Sequence, residues 1–286
     1  MKEKKDNEHW DIIVGAKKHK TAFNFAELWK YRDLIMQFAK RDIATVYNQT
    51  ILGPLWFLIQ PILTTVLFLV VFGGIAKIST GTIPGTLFYL SGLTIWNYFT
   101  ASFTATANTF LTNSAIFGKV YFPRLVTPLS KVISGLFIFG AQFLLFIGFL
   151  IYFIAVKGLP IHITPYLLLV PYLLVIMGGL GLGAGIIISS LTIKYRDLSY
   201  LITFGVQLVM YITPVIYPLS LITGKKRILV LANPMSAVIE DFRYAFFPEG
   251  PFHWMYLAYS TGFMVVALLA GILIFNKVER NFIDSV

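Results

Sequence analysis

The chain contains no cysteine and little charge. Of its 286 residues none is Cys, and only 13% are Asp, Glu, Lys or Arg. The absence of Cys excludes a disulfide framework, thiolate chemistry and Cys-based metal sites. The charged fraction is about half that of a soluble domain, whereas 57% of the residues are hydrophobic and the mean hydropathy is +0.76. These values are typical of a polytopic membrane protein.

The long apolar runs lack carboxylates, and the chain lacks an ATP-binding loop. All 13 Asp and Glu residues lie outside the apolar runs. Ion-coupled carriers usually need an ionisable group or unwound helices at mid-membrane. No G-x-x-x-x-G-K-[ST] loop is present, so the chain cannot hydrolyse ATP itself. We expect the energy for any transport to come from a soluble partner.

The one glycine-rich stretch, residues 178–185, lies within an apolar run and has no following Lys. It therefore does not fit a phosphate-binding loop. The pairs Gly179/Gly183 and Gly181/Gly185 form small-xxx-small patterns, which allow helices to approach closely. We predict that this stretch is a helix-packing site.

Six apolar runs are long enough to cross a bilayer as helices. They cover residues 55–76, 87–108, 132–156, 166–193, 198–216 and 255–275. An even number of spans places both termini on one side. If that side is the cytoplasm, most of the 23 Lys and Arg residues face it, as the positive-inside rule requires. The net charge of +10 then reflects topology, and nucleic acid is not an expected partner. The predicted fold is all-α.

Residues 24–50 have the periodicity of an amphipathic helix. Asp42 interrupts the apolar stripe, whereas Lys40 and Arg41 lie largely off it. Such a helix beside a membrane span is expected in the interface plane. A helix packed on a partner subunit has the same pattern. Residues 1–23 are predicted to be a polar cytoplasmic leader, since they lack the apolar core of a signal peptide.

Residues 219–253 are too interrupted to cross the membrane. The apolar part is broken at Asn233-Pro234 and carries two carboxylates and Arg243. We predict two short helices, hinged at Pro234, that re-enter the outer leaflet and pack against protein. An ordinary extracellular loop is the alternative.

Four segments resemble a known family. They are KRDIATVYNQTILGPLWFLIQPILT, NSAIFGKVYFPRLVTPLS, IKYRDLSYLITFGVQLVMYITPVIYP and NPMSAVIEDFRYAFF. In this order they resemble permease subunits of bacterial type-2 ABC exporters for polysaccharides and polyol phosphates. These proteins export lipid-linked O-antigen, capsule or teichoic acid chains. The resemblance runs from about residue 40 to the C-terminus.

The resemblance implies a multi-pass subunit of the bacterial inner membrane that exports a lipid-linked polysaccharide. O-antigen is the leading candidate for this polysaccharide. It implies that residues 51–286 form a six-span domain with both termini in the cytoplasm. It further implies a homodimer and two copies of a separate ATPase, which binds ATP and Mg²⁺. The permease itself then has no catalytic residue, cofactor or metal.

The resemblance also implies that the loop after the second span, residues 113–128, contacts the ATPase. Charged, aromatic and turn-forming side chains suit such a contact: Phe117, Lys119, Tyr121, Phe122, Pro123 and Arg124. In the same family the N-terminal helix with Lys40, Arg41 and Asp42 lies on the cytoplasmic face. A positive-inside loop with ordinary interfacial aromatics would have a similar composition.

Polar residues in the first and fifth spans suggest a translocation path. In lipid, Gln60 would need hydrogen-bond partners, whereas in a polar conduit or dimer seam it would find them. The candidate path residues are Trp56, Gln60, Thr64, Gln207 and Tyr211. For most aromatic residues, packing against lipid or protein is a sufficient explanation.

Other functions are compatible with parts of this pattern. A capsule or teichoic acid exporter would belong to the same family, and a permease for drugs or lipids to the same broad class. A membrane glycosyl- or acyltransferase is a further alternative. The only adjacent acidic pair, Glu240-Asp241, lies on the predicted outer side, where nucleotide sugars are absent.

Overall fold

The computed structural model describes residues 25–48, 51–110, 112–113, 120, 122–160, 164–192, 197–248 and 252–283. Within these ranges the protein is helical and has no strand, which confirms the all-α prediction for this part of the chain. The helices are α1 (Phe25–Lys30), α2 (Arg32–Asn48), α3 (Trp56–Phe68), α4 (Gly85–Ala107), α5 (Val126–Lys157), α6 (Val170–Thr192), α7 (Leu198–Ile212), α8 (Lys225–Leu231), α9 (Pro234–Phe246) and α10 (Trp254–Ile283). The leader, residues 1–23, lies outside the described residues.

Four helical segments of the described chain are long and apolar enough to cross a membrane. They are Gly53–Ile75, Val126–Lys157, Pro165–Thr192 and Trp254–Lys277. They correspond to the first, third, fourth and sixth predicted spans. α4 has 23 residues but many Ser, Thr and Asn side chains, and α7 is apolar but has only 15 residues. The protein is therefore a multi-pass helical membrane protein.

Of the two prolines near the start of the first span, Pro54 precedes helix α3 and Pro61 lies inside it. Pro54 lies in a 3₁₀ turn, Gly53–Leu55, which precedes α3. A first-turn proline loses no intrahelical bond, and Gly53 supplies the positive φ of 50° at which the turn starts. Pro61 lies inside α3 and is buried. The helix ends in a π-helical turn, Leu69–Ile75.

α4 lies at the centre of the bundle. It packs against α3, α5, α6 and α9, and all side chains from Leu87 to Trp96 are buried. Some of its polar side chains are satisfied locally or by neighbours: Thr94 Oγ1 donates to Leu90 O at 2.8 Å, and Asn97 Nδ2 donates to Gln142 Oε1 at 3.0 Å. Such bonding lets a polar-rich helix occupy the interior.

The glycine-rich stretch is part of α6 and forms two packing faces. A Cβ on Gly183 would lie 2.8 Å from the backbone carbon of Ala267 in α10. A Cβ on Gly181 would lie 3.1 Å from the backbone nitrogen of Phe103 in α4. Gly179 faces the Met264 side chain of α10, and Gly185 faces Thr106 and the Phe103 carbonyl of α4. The predicted packing role is confirmed, with one glycine pair for each neighbouring helix.

The segment between the fifth and sixth predicted spans contains two short helices, α8 and α9. Asn233 caps α9: its side chain accepts a hydrogen bond from Met235 N at 3.0 Å and donates one to Thr213 Oγ1 at 2.7 Å. Pro234 occupies the first turn. The predicted break at Asn233-Pro234 is thus confirmed, whereas re-entry into the bilayer stays a prediction. Phe242 of α9 packs against Phe146 of α5, with ring centroids 5.9 Å apart.

Candidate coupling and translocation site

The predicted amphipathic helix corresponds to α1 and α2, and its apolar stripe packs against the same chain. Leu28 and Ile35 are buried in a cluster with Phe122 and Val126. Phe38 meets Phe122 edge to face, with ring centroids 5.7 Å apart. The helix is therefore fixed to the beginning of α5. Its position relative to the bilayer stays a prediction.

Asp42 interrupts the apolar stripe because it pairs with two cations. Lys131 Nζ of α5 lies 2.7 Å from Asp42 Oδ2, and both side chains are more than four-fifths buried. Arg41 Nη2 lies 3.0 Å from Asp42 Oδ1. A partly shielded pair of this kind is screened less by salt than a surface pair. Lys40, in contrast, is exposed.

Arg41 extends this network to the start of the predicted coupling loop. Arg41 Nη2 donates to Asn113 Oδ1 at 3.5 Å, and the guanidinium lies 4.8 Å from the centre of the Phe38 ring. Asn113 is buried and donates from Nδ2 to Thr109 O at 3.0 Å. The helix α2 thus contacts the loop 113–128 at its first residue and, through Phe122, near its end.

The described end of the coupling loop forms a turn into α5. Phe122 is buried in the cluster with α2, and Pro123 O accepts a hydrogen bond from Val126 N at 2.9 Å. Thr127 Oγ1 donates to the carbonyl of Arg124 at 2.9 Å. Three predicted coupling residues lie outside the described residues: Phe117, Lys119 and Tyr121. The contact with an ATPase stays a prediction for all six.

The candidate path residues lie on two helices that do not pack against each other in the described part of the chain. α3 packs on α4 and α5, whereas α7 packs on α4 and α6. On α3, Trp56 and Gln60 are exposed, and Thr64 Oγ1 donates to the Gln60 carbonyl at 2.9 Å. On α7, Gln207 and Tyr211 are exposed. One chain therefore does not enclose a path between these residues.

The sequence did not predict that the Arg243 side chain of α9 is buried against the first residues of α4. The side chain is 3% exposed, and its guanidinium lies 3.7 Å from the centre of the Phe88 ring. Nη2 donates to Val215 O at 2.7 Å and to Phe88 O at 3.3 Å, and Nη1 donates to Pro214 O. Burial lowers its pKa to about 10. Arg243 follows Glu240 by three residues in an apolar segment, and this spacing could have predicted an ion pair on one face of a helix.

Glu240 is the acidic partner of Arg243. Arg243 Nη1 lies 3.1 Å from Glu240 Oε1. Burial raises the pKa of Glu240, and the positive charge of Arg243 opposes that shift. The pair lies within α9, and the hydrogen bonds of Arg243 to the carbonyls of Pro214 and Val215 join α9 to the segment after α7. Glu240 therefore has a structural contact with Arg243.

The sequence is similar to proteins of known function along most of its length. Residues 33–247 match the model of the ABC-2 type transporter family. The chain is 30% identical over 255 residues to an O-antigen export system permease protein of Klebsiella pneumoniae, covering 88% of this chain and 94% of that protein. It is 27% identical over 264 residues to an O-antigen export system permease protein of Myxococcus xanthus, covering 91% and 98%. It is 23% identical over 246 residues to a polysialic acid transport protein of Escherichia coli, covering 86% and 93%.

The family match extends from α2 to the end of α9 and includes both ends of the bundle described above. It agrees with the resemblance that the four sequence segments carry. The chain therefore belongs to the ABC-2 type transporter membrane family.

Proposed function

We propose that this chain is the permease subunit of an ATP-driven exporter that moves a lipid-linked polysaccharide across the bacterial inner membrane. O-antigen is the leading candidate for the polysaccharide. The observation that carries the proposal is the 30% identity to an O-antigen export permease over 94% of that protein's length. The family is one of transport subunits, which implies a separate ATPase as partner. That partner would bind ATP and Mg²⁺, and the permease would bind neither.

We further propose six spans, with both termini in the cytoplasm. Besides the four apolar segments, α4 and α7 would cross. α4 has 23 residues and so about 34 Å of length, enough for the hydrocarbon core. α7 has only 15 residues, but the chain continues through buried residues 213–216 toward α8. α8 and α9 would re-enter the outer leaflet, where α9 is covered by α4, α6 and α10.

The coupling end of the permease would be the surface formed by α2 and the loop 113–128. The support is a continuous set of contacts. Arg41 donates to Asn113 at the beginning of the loop, and Asp42 pairs with Lys131 of α5, three residues after the loop ends. A force applied to the loop is then shared with α2 and α5. We propose two copies of the ATPase, one beneath each permease of a homodimer.

The translocation path would form between the two permease copies. Trp56, Gln60, Thr64, Gln207 and Tyr211 lie on α3 and α7, which one chain leaves apart. Gln60, Gln207 and Tyr211 are exposed and have polar atoms that suit a hydrated glycan. A second copy could close the space between these helices.

A capsule exporter is the second candidate. The observation that favours it is the similarity to the polysialic acid transport protein of Escherichia coli, at 23% identity over 93% of that protein. The two functions differ in the polymer and not in the arrangement of the permease. The polymer that disappears from the cell surface on deletion separates them.

Deletion of the gene followed by analysis of surface glycans tests the proposal. We expect one surface polysaccharide to disappear while its lipid-linked form accumulates inside the cell. Complementation with the wild-type gene should reverse both effects. Undiminished surface polymer, with none accumulating inside, would reject the function.

A further inference from the structure

A cavity of about 390 Å³ lies at the end of the bundle that contains α8 and α9. We call it the α9 cavity. It is lined by α9 and by segments that precede α4, α8 and α10, including Thr80, Ser220 and Phe252. Its volume falls within the range of about 300–1,000 Å³ for small-molecule sites. The coupling residues lie at the other end of α4, so the α9 cavity is separate from them.

Two residues that line the α9 cavity, Asp241 and Arg243, each have one buried side-chain atom without a hydrogen-bond partner in the described part of the chain, Oδ2 and Nε respectively. Asp241 is 6% exposed, and its Oδ2 has no hydrogen-bond partner among the described residues. Arg243 also lines the cavity, but its Nη atoms bind Glu240 and backbone carbonyls. A buried carboxylate oxygen without a donor is costly in a folded protein. A ligand that supplies a hydroxyl would satisfy it.

Several aromatic rings line the same cavity as Asp241. Tyr244, Phe252 and Tyr256 line the cavity. The Tyr244 and Phe252 ring centroids are 5.2 Å apart, and Phe252 stacks on Tyr166 at 5.0 Å. These mutual contacts hold the rings in place. Flat apolar surfaces beside a hydrogen-bond acceptor suit a ligand with both C–H faces and hydroxyl groups.

Other classes of ligand fit this lining less well. A phosphate would meet the carboxyl groups of Glu240 and Asp241 as well as the guanidinium groups of Arg227 and Arg243. Because Arg243 already donates to Glu240 and to backbone carbonyls, this lining gives a phosphate no excess of positive charge. The described residues contain no group of three His, Cys, Asp or Glu side chains that could hold a metal ion. A purely apolar ligand would leave the Asp241 carboxylate buried and unpaired.

We propose that the α9 cavity binds one or two rings of a neutral sugar, with Asp241 Oδ2 accepting a hydrogen bond from a hydroxyl and Tyr244, Phe252 and Tyr256 contacting the ring faces. The cavity is formed within one chain, and none of the candidate path residues lines it. Its biological role rests on the proposed export function, since the exported glycan is the sugar that would reach it. Binding itself requires neither the ATPase nor transport.

Saturation-transfer NMR with a panel of methyl glycosides tests the proposal. The purified full-length permease in nanodiscs is mixed with the methyl glycosides of glucose, galactose, mannose and rhamnose. We expect at least one to bind with a roughly millimolar dissociation constant. Asp241→Ala should weaken that binding roughly tenfold, because the hydrogen bond between the ligand hydroxyl and the Asp241 carboxyl group is lost. Inorganic phosphate and calcium serve as probes for the rejected ligand classes.

Two tryptophan variants make the test independent of Asp241. Ser220 lines the α9 cavity and is exposed, so Ser220→Trp should fill the entrance without disturbing the core. Thr223, three residues later, is exposed and does not line the cavity, so Thr223→Trp is the matched control. We expect Ser220→Trp to abolish glycoside binding and Thr223→Trp to leave it unchanged, with equal melting temperatures.

The outcomes separate this proposal from the export function. Absence of binding by folded wild-type permease, equal binding by wild type and Ser220→Trp, or preferential binding of phosphate or calcium would each overturn it. None of these results concerns export, which the deletion experiment measures in cells. Conversely, glycoside binding by a permease whose deletion leaves surface glycans intact would uphold the site and reject the export function.

Discussion

Arg243 joins three parts of the molecule through one guanidinium. It reaches from α9 to the carbonyls of Pro214 and Val215 after α7 and to the carbonyl of Phe88 in α4. It also stacks on the Phe88 ring and pairs with Glu240. The planar fork of arginine can make these contacts together, whereas the single ammonium of lysine cannot.

Arg243→Lys should therefore destabilise the permease although the charge is kept. Several buried acceptors would lose their donor, and Glu240 would be left without its close partner. We expect a loss of about 3 kcal/mol in the free energy of unfolding. Thermal unfolding of the purified permease measures the effect. Arg32→Lys is the control, because Arg32 is exposed and lies 3.9 Å from Asp33. Equal melting temperatures for both variants would contradict the assigned role.

Asp241 should make stability depend on pH. Burial, assisted by the charge of Glu240, raises its pKa from 3.8 to about 7. The folded state therefore holds a proton that the unfolded state releases, so the free energy of unfolding falls as pH rises from about 4 to about 7. The shift of about three units bounds this loss at about 4 kcal/mol. The other titratable and charged groups lining the same cavity are Arg227, Glu240, Arg243, Tyr244, His253 and Tyr256.

Asp241→Asn removes this dependence, since an amide does not ionise. We expect its melting temperature to exceed that of the wild type by an amount that grows between about pH 5 and about pH 8. Parallel thermal melts of the two proteins across this range measure the difference. A constant difference would show that Asp241 does not titrate with the stated shift.

At the scale of elements, α6 is held between α4 and α10 by its glycines. The contacts at Gly183 and Gly181 are with backbone atoms, which cannot rotate away as a side chain can. Any added carbon must therefore separate two helices along their length. The tolerance of these positions for larger residues should be low.

Gly183→Ala should destabilise the permease by about 1–3 kcal/mol, the usual range for overpacking. The new Cβ would lie 2.8 Å from the backbone of Ala267. Gly140→Ala is the control, because no atom lies within 4 Å of a Cβ there and alanine favours a helix. Thermal unfolding of the two variants should move in opposite directions. Stabilisation by Gly183→Ala would contradict the close approach.

The α2–α5 contact offers a test by charge exchange. Lys131→Asp would place a carboxylate beside Asp42 and repel α2 from α5. We expect ATP-driven export to fall roughly fivefold or more, whereas the exchange Asp42→Lys with Lys131→Asp should restore much of it. Export by reconstituted vesicles is the measurement. Lys40→Asp is the control, since Lys40 is exposed on the same helix. No rescue by the exchange would contradict a role for this pair.

For the whole molecule, energy should enter only through the partner ATPase. The described helices α3 to α7 contain no Asp or Glu that could bind a coupling ion. Vesicles containing the permease alone should therefore show no uphill movement of glycan. Adding the ATPase and ATP should start export, and collapsing ion gradients should not stop it. Uphill movement without nucleotide would contradict this prediction.

The sequence predicted some parts of this structure well because their causes are local. About 20 apolar residues are needed to cross a bilayer, so four spans followed from the apolar runs. The break before α9 followed from Asn233-Pro234, and the packing faces of α6 followed from glycine spacing. The six candidate coupling residues and the path residues stay predictions.

Other parts could not be predicted because their causes are distant in sequence. Asp42 fits its stripe only because Lys131, on another helix, lies beside it. Arg243 binds Phe88 at a separation of 155 residues. The burial of α4 depends on the helices around it and not on its own modest hydrophobicity. No periodicity within one segment contains this information.

The near-contact of backbones along α6 has a mechanical consequence. Helices α4, α6 and α10 touch through glycine and cannot slide without collision. If a force acts beside Asn113, we expect the three helices to move together. At the other end of α4, the Phe88 carbonyl accepts a hydrogen bond from Arg243 of α9. Movement at the proposed ATPase end would then displace the opposite end of these three helices. α3 and α7, which pack less extensively on them, would change position relative to the group.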